Sequence, residues 1–227
     1  MAQRRPLTPR AYCAPGRMLG SARNAATGRG LLRLKSLVVG TKNRDKFAEI
    51  EAILLGLPVR VLPLPPEIAE VVEDEPTLEG NADLKARAYA RATGMAVLAD
   101  DTGLHVDALG GNPGVRTARY AGPDATYAQN RRRLLDELRG VPPELRTARF
   151  RCVISLARPS GDVVARAEGL LEGVILEKEH GEAGFGYDPV FAVGGRTLAD
   201  MPAAEKNAIS HRARALVAIR PKILELL

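Results

Sequence analysis

The chain has 227 residues, enough for one domain with a sizeable core and two lobes around a cleft, and at 45% apolar and 26% charged it reads as an ordinary globular protein. No apolar run approaches the roughly 20 residues that cross a bilayer, which excludes a membrane-spanning helix. Residues 1–36 hold eight of the 33 Lys and Arg and none of the 27 acids, so the remainder carries 25 bases against 27 acids, and the formal charge of +6 belongs to the tail rather than to a nucleic-acid-binding body.

Residues 1–35 are rich in Arg, Ala and Gly and read as a disordered basic extension, with Met18 as an alternative start. Their lack of acids also suits an organellar transit peptide; a secretory signal is not expected without a continuous apolar stretch. Ser36–Gly40 reads as a buried strand, and Asp45 to Leu55 as a helix with Phe47, Ile50, Ile53 and Leu54 on one face and Gly56 as its stop. Val59–Leu62 is a second strand, ended by Pro63, Pro65 and Pro66, after which Glu67–Pro76 is an acidic loop. Thr77 caps a helix running to about Thr93. Met95–Ala99 is a buried strand ending at Asp100, followed by an extended piece at Leu104–Val106. Asp124 to Arg139 is a helix, Ala148–Ala157 and Val163–Leu176 are strands joined by a turn, and a last helix starts near Ser210 with a kink expected at Pro221. Alternation of strand and helix followed by a long hairpin predicts an α/β fold with a mixed sheet. Cys13 lies in the tail; Cys152 sits in a strand pattern and reads as an inert thiol of a reducing compartment.

Five groups of residues carry chemistry. The loop Thr41-Lys42-Asn43-Arg44-Asp45-Lys46 places cations at a helix start, where the backbone already carries partial positive charge. A polyanion seated there would relieve the conflict, which is how phosphate is usually held. Asp100-Asp101 stands where a strand ends; it is either a polar terminus or, with Glu73, a pair of carboxylates for Mg²⁺, which takes a few carboxylates plus water and phosphate. Lys85 is a solvated helix residue unless its face borders the cleft. In Gly184-Phe185-Gly186-Tyr187-Asp188-Pro189 the glycines free the backbone, leaving Phe185 either packed in a tight turn or presented to stack on a base whose edge Asp188 reads. Glu205 to Ser210 reads as a loop entering the last helix, whose first turn sets His211 and Arg212 beside Lys206 for an anionic or carbonyl-bearing ligand.

Together these residues resemble the inosine triphosphate pyrophosphatase family, from Leu37 to the C-terminal helix. The motifs are Thr41-x-Asn43-x-x-Lys46, Glu79-x-Asn81-Ala82-x-x-Lys85-Ala86, Ala99-Asp100-Asp101-x-Gly103-Leu104, Pro113-Gly114-x-x-x-Ala118-Arg119-Tyr120, Gly184-Phe185-Gly186-Tyr187-Asp188-Pro189 and Ser210-His211-Arg212. The resemblance implies an elongated mixed central sheet flanked by helices, with two lobes around a nucleotide cleft and one catalytic domain over residues 36–227. It implies Mg²⁺-dependent hydrolysis of ITP, dITP and XTP to the monophosphate and pyrophosphate by a cytoplasmic homodimer, with no membrane or specific nucleic-acid partner. Thr41, Lys42, Asn43, Arg44, Asp45 and Lys46 would bind the triphosphate. Asp101 would be metal ligand or water-activating base, with Glu73 as a second ligand and Asp100 and Lys85 as catalytic neighbours. Thr102 would touch substrate, and Phe185, Gly186, Tyr187, Asp188, Lys206, His211 and Arg212 would hold the purine. Lys42 and Thr102 depart from the Gly and Ser that the family often has at these positions. Two other readings remain open: a nucleotide-binding sensor without turnover, and nucleic-acid binding through the tail.

Overall fold

The computed structural model describes residues 35–227; the basic extension, Met18 and Cys13 lie outside the described residues. Eight strands and five α-helices follow in the order β1 (Lys35–Val39), α1 (Arg44–Leu54), β2 (Val59–Pro63), α2 (Leu78–Thr93), β3 (Val97–Val106), β4 (Pro113–Gly114), α3 (Tyr127–Glu137), β5 (Thr147–Ala157), β6 (Val163–Ile175), β7 (Phe191–Val193), β8 (Arg196–Thr197), α4 (Ala203–Ile209) and α5 (His211–Leu226). The strands form one mixed sheet in the order β2-β1-β3-β5-β6-β7-β8. β1 is parallel to β2 and β3, with helices as the crossovers such pairs need; β3, β5, β6, β7 and β8 are antiparallel neighbours. Pro63 is tolerated because β2 is an edge strand, where a missing N–H breaks no ladder.

Helices cover both faces of the parallel end, which is why β1 is apolar without alternation. On one face Leu37, Val39 and Leu98 pack with Ile50 of α1 and Leu216 and Ile219 of α5. On the other, Val38, Val97 and Ala99 pack with Ala86, Tyr89 and Ala90 of α2. Farther along the same strands a second core gathers Leu104, Val106, Phe150, Leu171 and Phe191 with Leu134 of α3. Local caps fix the helix starts: Thr77 on α2, Thr126 with Gln129 in a reciprocal box on α3, and Ser210 on α5. Thr126 therefore starts α3 at Tyr127 rather than at Asp124. α5 continues through Pro221, close enough to its end to lose little.

Two expectations are corrected. The pieces expected at Met95–Ala99 and Leu104–Val106 form one strand, β3, which begins at Val97 and has Asp100 and Asp101 in its middle rather than at its end. The carboxyl terminus at the site is that of β1, which pairs with β3 only at Val97 and Leu98. β4 rejoins the same edge at Leu104 and His105, while β5 runs the full length of the other edge. Residues 99–103 thus face a notch in the sheet between the end of β1 and the start of the β4 pairing. Second, the stretch before Ser210 is helical: Ala-Ala-Glu-Lys are strong helix formers, and Ser210, extended at ψ 153°, separates α4 from α5. No described helix is long and apolar enough to cross a membrane.

Arg146 closes the far end. Its buried guanidinium donates to the carbonyls of Ile175 (2.8 Å), Leu138 (2.8 Å) and Leu176 (3.0 Å). Arg146→Ala leaves these three acceptors without their donor, and urea unfolding is expected to show a loss of roughly 2–4 kcal/mol.

Candidate active site

The notch between β1 and β4 opens into a cleft of about 130 Å³. Its walls come from α1 (Asn43, Lys46), the acidic loop (Glu73), β3 (Asp101, Thr102), α3 (Tyr127, Asn130), the Phe185–Asp188 turn, α4 (Lys206) and α5 (His211, Arg212). A second recess continues from it past Thr41, Lys42, Lys85, Glu70 and Tyr89, sharing Asn43, Lys46, Glu73 and Ala118 with the main cleft. Lys46, Asp101 and Arg212, from three distant stretches of chain, therefore face one cavity.

Because β3 is extended, Asp100 and Asp101 point to opposite faces. Both are buried, Asp100 beside Arg212 of α5 and Asp101 beside Asn81 of α2. Asp100 Oδ2 accepts from Thr102 Oγ1 (3.1 Å) and from Arg212 (3.4 Å), and pairs with Lys46 Nζ (3.2 Å). Burial opposes its charge, but Lys46, Arg212 and Lys85 outweigh it and hold the carboxyl well below the usual carboxylate range. Asp100 lies beneath the cleft and does not line it.

Asp101 accepts from Thr102 N at Oδ1 (2.9 Å) and from Asn81 Nδ2 at Oδ2 (3.1 Å), leaving each oxygen further lone pairs. Burial raises its pKa despite Lys85 and Lys46. Lys85, buried on α2 rather than solvated, stands 3.0 Å from Glu73 and 3.7 Å from Asp101. Burial works against its ammonium, yet Asp101, Glu73 and Asp100 prevail and its pKa is raised. Arg119 donates to the Glu73 carbonyl (2.8 Å) and so fixes the acidic loop over this pair.

The aromatic end is built by the turn at Phe185. Gly184 takes φ +73°, and a Cβ there would stand 2.1 Å from Asp188 Oδ2, so only glycine fits. That oxygen accepts from Phe185 N (2.8 Å) and from Lys206 Nζ. Lys206 Nζ in turn lies 4.7 Å over the Phe185 ring, with the Arg212 guanidinium at 5.9 Å. The Tyr187 ring belongs to the second core, and its hydroxyl donates to Thr117 O (2.9 Å). His211 is buried and stacked on Phe150 at 4.6 Å and 17°, with Nδ1 lacking a partner.

The groups at the helix starts also have partners within the chain. Asn43 Oδ1 already accepts from the N–H groups of Asp45 (2.9 Å) and Lys46 (3.1 Å). Lys42 donates to the carbonyls of Pro65 (3.3 Å) and Pro66 (2.9 Å). Arg212 is held by carboxylates within the chain. Arg44 is exposed and lines neither cavity; Asp45 lines a neighbouring groove and accepts from Tyr127 Oη (3.1 Å).

Two residues were not foreseen. Glu49 on α1 lies 2.6 Å from Lys206 and also pairs with Arg212, so that Lys206–Glu49–Arg212–Asp100–Lys46 is one continuous ladder of charge. Its position three residues after Lys46, on the same helix face, was the available signal. Tyr127 lines the cleft from α3.

Asp101 and Glu73, two carboxylates that both stand beside Lys85, supply the oxygen donors that a divalent ion such as Mg²⁺ would take, next to a cationic recess suited to phosphate. No group of three or more potential metal-binding side chains occurs among the described residues.

The Ham1 family model matches residues 37–222. A Geobacter sulfurreducens protein named dITP/XTP pyrophosphatase is 50% identical over 188 residues, 81% of this chain and 94% of that protein. One of the same name from Shouchella clausii is 47% identical, covering 84% and 97%. A solved HAM1 protein from Coxiella burnetii superposes with a TM-score of 0.76 at 36% identity, covering 85% of this chain and all of the other. A nucleoside-triphosphatase / dITP/XTP pyrophosphatase from Mycobacterium abscessus gives 0.65 at 41%, covering 82% and 99%.

The His211 environment makes stability depend on pH. Burial first, then Arg212 and Lys206, push its pKa well below 6.5, so the folded state holds the ring neutral where the unfolded chain binds a proton. Stability should be full above about pH 7 and fall as pH drops below the unfolded value of about 6.5. Urea midpoints between pH 7.5 and 5.5 should show that fall, and His211→Gln should flatten it; His105, also depressed by burial, supplies what remains.

Proposed function

We propose that this chain, which belongs to the Ham1 family, hydrolyses the noncanonical purine nucleoside triphosphates ITP, dITP and XTP to the monophosphate and pyrophosphate. The observation that carries this reading is the polarity of a single cleft. One end gathers Lys46, Lys42, Lys85, Glu73 and Asp101, which is chemistry for a triphosphate; the other gathers Phe185, His211, Lys206 and Arg212, which is chemistry for an oxo-purine.

In this reading water attacks the α-phosphorus in line. Its oxygen bonds to that phosphorus, the bond from the α-phosphorus to the bridging oxygen breaks, and pyrophosphate leaves with the electron pair. Asp101, whose pKa burial has raised, takes the proton or orients the water. Lys46 and Lys85 offset charge gathering on the phosphoryl oxygens. Asp101 and Glu73 would hold Mg²⁺, which when bound supplies further neutralisation of the leaving pyrophosphate. Asp100 keeps Lys46 and Arg212 in place beneath. Lys206, Arg212 and His211 present donors to a 6-oxo group. Adenine carries an amino group there and would leave a buried donor unpaired, at a cost of about 1–3 kcal/mol for each.

We extend the proposal to a homodimer acting in the cytoplasm, where the nucleotide pool is. The buried thiol of Cys152, with a pKa pushed up to about 12 by burial, asks for no oxidising compartment. Sedimentation equilibrium reads the assembly directly.

A panel of nucleoside triphosphates assayed for pyrophosphate should show release from ITP, dITP and XTP, little from ATP, and loss on removing Mg²⁺. Tight binding with no release would make the protein a nucleotide sensor. Asp101→Asn should lower kcat by roughly 10²-fold or more while leaving the circular dichroism spectrum unchanged; near-normal turnover would remove Asp101 from its role.

A further inference from the structure

Tyr127 opens α3 at the mouth of the cleft, and it is the one large aromatic of the cleft wall that stands substantially exposed, at 39%. Its hydroxyl is already used within the protein. It accepts from Asn43 Nδ2 (2.9 Å) and donates to Asp45 Oδ2 (3.1 Å), which ties the start of α3 to the start of α1. With the polar tip anchored, the ring is left as a fixed apolar surface. It stands beside Phe185, ring centroids 5.9 Å apart and planes tilted by 43°, too near for a base to slip between them. Tyr127 therefore spans the gap between the aromatic shelf on one side and Asn43 and Lys46 on the other.

In a nucleotide lying along this cleft, the part that falls between base and phosphates is the sugar. We propose that Tyr127 is a substrate-contacting residue whose ring packs against the sugar and sets its position between shelf and phosphate loop. This rests on the triphosphatase reading above. The anchored hydroxyl holds the ring in one orientation, so the contact is preformed and little rotamer freedom is lost on binding. Sugar C–H groups laid on an aromatic face gain dispersion and lose water. Nothing in this contact touches the phosphoryl groups, so its removal should act on binding and not on the chemical step.

The test compares ITP with inorganic tripolyphosphate, which keeps the phosphates and lacks both sugar and base. In Tyr127→Ala, KM for ITP should rise about tenfold with kcat within roughly twofold, while the inhibition constant of tripolyphosphate stays at the wild-type value. Tyr127→Phe keeps the ring and should recover most of the lost affinity. An unchanged KM in Tyr127→Ala would overturn the inference. So would an equal rise in the tripolyphosphate constant, which would mean that the phosphate loop had moved, or a Tyr127→Phe defect as large as that of Tyr127→Ala, which would assign the effect to the hydroxyl bonds. Failure of the parent reading looks different: the wild-type protein would release no pyrophosphate from ITP, whatever stands at position 127.

Discussion

The site depends on one ionised carboxylate kept out of water. Asp100 is buried at the centre of the sheet, and a charge there is tolerated only because Lys46 from α1, Arg212 from α5 and the hydroxyl of Thr102 converge on the same oxygen. The convergence also works in the other direction. Lys46 and Arg212 lie on separate elements that are otherwise joined by apolar packing, and their shared carboxylate fixes where each can present its charge. Glu49 repeats the arrangement one step outward, joining Arg212 to Lys206, and Asp188 joins Lys206 to the Phe185 turn. The cations of the cleft are thus held by a scaffold of acids behind them, and their remaining valence points into the cavity.

This division explains why the cleft has two characters. Where acids stand behind the cations, the cavity wall is preorganised for a ligand's oxygens. Where Lys85 lies between Glu73 and Asp101, acids and base face the same space, and a divalent ion could share the carboxylates with phosphate. The apolar clusters do the coarser placing: one fixes α1 and α5 on the parallel end, the other fixes α3 and the Phe185 turn over the antiparallel end, and the cleft is the polar seam between them.

Much of this was legible in the chain. The helix starts at Thr77 and Ser210 followed from those residues, while the Asn43 cap of α1 did not; the glycines about Phe185, read as freeing the backbone, take φ of +73° and +62°. The grouping of Lys46, Asp101 and Arg212 could be anticipated because each is a charge that its local element does not want. Glu49 was hidden for the opposite reason: an acid on a charged helix looks solvated, and only the arrival of α4 and α5 shows otherwise. Lys85 looked solvated too, until the acidic loop folded over it. The continuous course of β3 was masked by its own chemistry, since two adjacent acids read as a terminus when the partner strand that ends beside them is unknown.

That course has a bearing on how the chain can change. Neighbouring acids serve opposite sides of one ribbon, so a slip by a single position would exchange their surroundings, putting the structural charge into the cavity and the cleft-lining one among the helix cations. Ten consecutive pairings with β5, from Val97 opposite Ala157 to Val106 opposite Ala148, guard against this. An insertion or deletion between those limits would have to be matched on the facing strand at once.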